Sequence, residues 1–149
     1  MILVFCEGLK GGKLDGAVTF LDDGRPMMAL TTRGNRFDGL IFTMLHECAH
    51  LTLEHLTPEH PSIVEYDIAG ATENPIEAEA NHQAHDWMFP DGLTANVTTL
   101  ASICEIATDL GVHPSVVIGQ VHRSREQWNM HRTSIPKVRP SLDAAGLLD

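Results

Sequence analysis

His46-Glu47-Cys48-Ala49-His50 sits inside a segment whose apolar residues recur at helical spacing, and no other feature restricts the fold so tightly. Two histidines four apart project from one face of a helix about one turn apart, where their imidazoles can share a metal ion. Glu47 lies beside them, placed to take a proton from water rather than to bind the metal. The H-E-x-x-H pattern therefore predicts a zinc site with His46 and His50 as ligands and Glu47 as general base. Such a site needs a third protein ligand and an open fourth position.

The flanks predict an amphipathic helix of about 18 residues, with Asp38 as N-cap and Thr57-Pro58 as the stop. On its wheel Ile41, Met44, Leu45, Cys48 and Leu51 form a core face opposite Thr43, His46, Glu47, His50 and Glu54. Cys48 is thus a packing residue rather than a ligand. Downstream, Asn74-Pro75 reads as an N-cap followed by proline at the first helical position, opening a helix that runs to Met88 before Phe89-Pro90. Glu77 and Glu79 in its first turns point about 200° apart, so one can face the metal and the other faces solvent. His82 and His85 are rival ligands on the same helix.

Ahead of the metal helix, Met1 to Cys6, Ala17 to Leu21 and Met27 to Thr31 read as short strands punctuated by glycine, with a hairpin turn at Asp22-Asp23-Gly24-Arg25. Thr57 to Glu73 reads as a loop. Helices of about Val97 to Leu110, stopped by Gly111, and from Pro114 onward follow. Strands first and helices after is an α+β arrangement with a small antiparallel or mixed sheet. At 149 residues and 43% hydrophobic content one core is expected. The whole of 1–149 is read as a single domain, with 132–149 as a flexible tail.

Charge distribution bears on partners. From Phe37 to His122 there is no Lys or Arg, while thirteen Asp and Glu and eight of the nine His fall there. That segment favours cations over phosphates. Ile103 to Val117 looks like a helix-turn-helix, but the would-be recognition helix from Pro114 to Gln120 has no basic residue, so no direct nucleic-acid contact is expected. A two-helix hairpin covering the core is the expected meaning. The apolar start Met1 to Cys6 is too short to span a bilayer. Three cysteines without metal spacing fit reduced thiols in a cytoplasm.

With both helices in view, the chain resembles the ImmA/IrrE family of small metallopeptidases. Their H-E-x-x-H helix is followed by one of the form E-x-x-A-N/D-x-F-A-x-x-L-L-x-P. Glu77, Ala80, Asn81, Ala84 and Pro90 match in register, with Trp87-Met88 at the Leu-Leu positions; Gln83 replaces the usual aromatic and His85 a small residue. The lead-in Arg33 to Thr43 and the segment Gly111 to Val117 are similar to members that form the C-terminal half of HigA-like antitoxins. The resemblance implies a zincin-like fold, Zn2+ held by His46, His50 and Glu77, and Asn81 orienting a ligand histidine. It also implies hydrolysis of a peptide bond in a regulatory protein, such as a helix-turn-helix repressor cut under stress, or a toxin partner that is bound. No DNA-binding domain is expected ahead of the motif, which favours a stand-alone cytoplasmic protease. The alternative is a catalytically silent peptidase-like binding module of a toxin-antitoxin or phage regulatory system. Candidates for the oxyanion donor are Tyr66, His60, His82 and His85.

Overall fold

A computed structural model describes residues 1–8, 10–66, 74–93, 97 and 99–148, without the side chains of Glu65 and Tyr66. These residues form an α+β fold. Three strands, β1 (Ile2–Cys6), β2 (Leu14–Phe20) and β3 (Pro26–Thr31), precede the helix α1 (Phe37–Thr52). A fourth strand β4 (Ser62–Tyr66) is followed by α2 (Pro75–Met88), α3 (Leu100–Leu110), α4 (Pro114–Arg125), a 3-10 turn at Arg132–Ser134 and α5 (Arg139–Ala144).

The sheet is mixed, in the order β1-β3-β2-β4. β2 and β3 form the expected hairpin. Gly24 at φ 78° lets the chain reverse, and its N–H donates to the Leu21 carbonyl at 2.8 Å. β1 lies parallel to β3, pairing Ile2 with Met27 and Cys6 with Thr31. Where the sequence predicts a loop from Thr57 to Glu73, the chain instead forms β4 at Ser62–Tyr66. Its Ser62-Ile63-Val64-Glu65-Tyr66 pairs antiparallel with β2, Ala17 opposite Val64, as the sheet edge among the described residues. The rest of that expected loop, 67–73, lies outside the described residues.

The other expectations shift at their boundaries. Asp38 is not the N-cap of α1; Arg36 is, and its guanidinium donates to both Asp38 oxygens at 3.0 and 2.6 Å. The helix stops at Thr52, five residues before Thr57-Pro58, because Glu54 turns left-handed at φ 57°. α2 begins as read: Pro75 follows Asn74, whose side chain accepts the Ile76 N–H at 3.1 Å. α3 starts at Leu100 behind a Thr99 cap and ends at left-handed Gly111.

The apolar core lies among the helices, joining Phe42 of α1 to Ala84, Met88, Phe89, Ile103, Ala107 and α4. α4 is enclosed from Ser115 through His122. The segment after His131 docks on the start of α1: Pro136 accepts the Phe37 N–H at 3.0 Å, and Asn35 Oδ1 accepts the Arg139 N–H at 2.9 Å. Among the described residues no helix is long and apolar enough to cross a membrane.

Candidate metal centre

α1 reverses the expected relation between its two faces. Its polar residues are the enclosed ones, with His46, Glu47 and His50 all at 0% exposure, while Ile41, Met44, Leu45, Cys48 and Leu51 are only half-buried. The cause is what each face meets. Ile41 and Leu45 pack at the border of the helical core, whereas the side bearing Thr43 and Glu47 lies against β2 and the side bearing the histidines faces α2. An apolar stripe marks helix contact, but a sheet and a second helix can bury a polar stripe just as completely when its groups have partners.

Small residues bring α2 close enough to contribute. Glu77, Ala80, Ala84 and Met88 recur at helical spacing on its buried side, and the two alanines at 0% exposure lengthen no contact with α1. Glu77 Oε2 then stands 3.1 Å from His46 Nε2 and 3.3 Å from His50 Nε2, and the two Nε2 atoms are 2.9 Å apart. Tetrahedral zinc with bonds of about 2.0–2.1 Å places donor atoms about 3.3–3.4 Å from one another. The three donors therefore form a triangle close to one face of such a tetrahedron. His46, His50 and Glu77 are the group among the described residues that could hold a metal ion.

The hydrogen bonding behind His46 fits a cation as well. Asn81 Oδ1 lies 3.0 Å from His46 Nδ1. A carbonyl oxygen only accepts, so Nδ1 carries the proton and Nε2 turns a bare lone pair toward Glu77. A lone pair and a carboxylate at 3.1 Å repel each other unless a proton or a metal cation lies between them. The donor set thus suits a divalent cation, and its two imidazoles with one carboxylate match the zinc-binding chemistry of nitrogen and oxygen ligands.

The rival ligands stay away. His82 is mostly exposed, 3.4 Å from Asp86, and His85 also turns to Asp86 at 3.4 Å. Cys48 is half-buried, and burial together with the neighbouring Glu47 charge pushes its thiol above the ordinary range, as suits a packing residue. His60 is exposed. The Tyr66 side chain lies outside the described residues.

Two residues that the sequence reading did not select touch the site. Gly16 on β2 gives its missing side chain's space to Glu47. A lone glycine inside a strand pattern is the signal for such close backbone approach. His55 places Nδ1 at 2.9 Å from His50 Nδ1. No sequence signal marks it unless the end of α1 is known to within a residue. No protein-family model and no curated protein matches the chain.

Proposed function

We propose that the chain is a zinc-dependent endopeptidase with a zincin-like site of the ImmA/IrrE type, acting on a regulatory protein. The observation that carries this reading is the convergence of His46, His50 and Glu77 within 3.3 Å of one another, with Glu47 enclosed on the same helix. His46 and His50 would hold the ion through Nε2 and Glu77 through Oε2. A bound zinc supplies Lewis acidity and lowers the pKa of its water from 15.7 toward about 7.

The chain's own groups then manage position and protons. Glu47 takes the proton of the attacking water on its carboxylate and returns it to the leaving amine. Asn81 keeps His46 in the tautomer that can ligate. A polypeptide substrate is supported by β4, which among the described residues pairs with β2 on one side only, so its other edge offers backbone groups to an extended segment. β4 pairs with the strand whose Gly16 borders Glu47, which sets that edge one strand from the general base.

Enclosure of α4 opposes DNA reading by the helix-turn-helix-like segment, since a recognition helix must be free to enter a groove. Three cysteines without a disulfide fit a reducing cytoplasm.

The deciding experiment compares wild type, Glu47→Gln and His50→Ala on a panel of purified helix-turn-helix repressors, with bound zinc measured in each. Wild type should cleave. Glu47→Gln should keep its zinc and lose activity by about 10²–10⁴-fold, and His50→Ala should lose the zinc itself. Stoichiometric zinc in both wild type and Glu47→Gln, with cleavage by neither, would instead favour a binding module.

A further inference from the structure

We infer that His55 and Glu79 form a hydrogen-bonded relay that fixes His50 as a metal ligand, making His55 a positioning residue; this rests on the metal reading of the site. The relay begins in the way α1 ends. Glu54 takes the left-handed conformation at φ 57°, its N–H points to the Leu51 carbonyl at 3.4 Å, and the His55 N–H donates to the His50 carbonyl at 3.0 Å. This six-to-one and five-to-two pair is a Schellman turn. Such a turn folds the residue after the left-handed position back against the third residue from the helix end, ordinarily in an apolar contact.

Here both positions are histidines. His55 Nδ1 stands 2.9 Å from His50 Nδ1, with the ring centroids 5.0 Å apart at 66°. On its other side His55 Nε2 meets Glu79 Oε2 on α2 at 3.3 Å. The His55 side chain is 8% exposed, so little water competes for either nitrogen. Glu79 was expected simply to face solvent; its side chain is 62% exposed, yet its carboxylate reaches back to the relay.

The order of the protons follows from the end of the chain of bonds. A carboxylate only accepts, so His55 Nε2 carries the hydrogen. In the neutral ring Nδ1 is then bare and accepts from His50 Nδ1. His50 is left with its Nε2 lone pair directed at His46 Nε2 and Glu77 Oε2, the mirror of what Asn81 does for His46. Each ligand histidine is thus held by an acceptor behind it, one an amide and the other an imidazole backed by a carboxylate.

A purely structural role for His55 makes a different forecast, because an apolar residue suits a Schellman turn better than an imidazole. The test uses the full chain with His55→Leu, His55→Asn and Glu79→Ala. Readouts are zinc affinity by competition with a chromophoric chelator, thermal unfolding of the metal-free protein, and the His50 Nδ1 proton by NMR. His55→Leu should unfold at or above the wild-type temperature yet bind zinc about 10–100-fold more weakly, with faster exchange of the His50 proton. His55→Asn, which restores an acceptor oxygen, should recover affinity to within about threefold, and Glu79→Ala should lose about threefold to tenfold.

Wild-type zinc affinity in His55→Leu would overturn the relay. If His55→Leu does not fold, Glu79→Ala decides, since its exposed side chain supports no core, and unchanged affinity there overturns the relay too. A wild type that binds no zinc defeats the metal reading itself. Zinc that is lost in His50→Ala but unaffected by His55→Leu defeats the relay alone.

Discussion

The Glu47 carboxylate occupies the space that a side chain on Gly16 would need: a Cβ there would overlap Glu47 Oε1 and stand 2.8 Å from Thr43 Cγ2. The bare backbone of β2 lets the sheet close over α1 at Glu47, the proposed general base. Gly16→Ala is expected to displace the carboxylate, the far end of a flexible chain, before it displaces either backbone. A shift of about 1 Å at a catalytic group can cost as much as about 10²-fold in rate. We expect kcat to fall about 10–100-fold while zinc affinity stays within about threefold, since no ligand touches Gly16. Cleavage kinetics beside a zinc titration check this; unchanged turnover would remove Gly16 from the account.

Gly119 offers the control. A Cβ on this residue of α4 would stand 2.7 Å from Asp38 Cβ, an atom fixed to the backbone. Asp38 is in turn clamped by Arg36, whose Nη2 also lies 3.0 Å from the buried His122 Nδ1. Nothing there can swing aside. Gly119→Ala should therefore destabilise the fold by about 2–3 kcal/mol in urea unfolding, toward the upper end of overpacking costs. Zinc affinity and turnover per folded molecule should be unchanged. The same substitution at two crowded glycines thus separates a contact to the proposed general base from a purely structural one.

The contrast also shows what the sequence could convey. The hairpin at Gly24, the Asn74-Pro75 helix start and the left-handed Gly111 stop were legible because each depends on residues next to one another in the chain. So were His46 and His50, whose spacing is a property of one helix. Glu77 was narrowed by residues alone to one of two carboxylates or two histidines, and only the packing of Ala80 and Ala84 against α1 separates them. β4 was hidden by Pro58, Glu59, Pro61 and Glu65, which read as loop, although an edge strand tolerates both proline at its border and charge. The parallel pairing of β1 with β3 depends on a partner some 25 residues away, which no local pattern encodes. His55 was invisible for a sharper reason. Its role depends on Glu54 being left-handed, whereas the sequence placed the helix end at Thr57-Pro58.

That left-handed Glu54 predicts its own variant. A residue with a Cβ held at φ 57° costs about 1–2 kcal/mol relative to glycine, part of which glycine gives back as extra freedom in the unfolded chain. Glu54→Gly should raise stability by about 0.5–1 kcal/mol. The turn would keep its two backbone hydrogen bonds, so zinc affinity should not change. Chemical denaturation of the metal-free protein and a zinc titration measure the two expectations separately. A loss of stability would mean that the Glu54 side chain contributes more than its backbone strain costs.

Burial displaces the pKa of Arg123 by a large amount. Its guanidinium carbon lies 3.3 Å from the centroid of the Phe42 ring, and burial pulls its pKa down to about 10 against the opposing attraction of Asp38. The group is cationic at neutral pH in both the folded and unfolded chain, so the full desolvation cost is present below pH 10. Above about pH 10 the unfolded chain holds this proton more tightly than the folded one, so from there this group makes stability rise with pH. Arg123→Met keeps an extended side chain on Phe42 and removes the charge. The variant should be more stable by about 1–2 kcal/mol at pH 7, since the relieved desolvation exceeds a cation–π contact of about 0.5–2 kcal/mol. Its advantage should shrink at pH 10.5 and above. Urea unfolding of both proteins at pH 7 and pH 10.5 decides the matter: a Met variant that is weaker at pH 7 would show that the stack on Phe42 and the pull of Asp38 outweigh the burial of the charge.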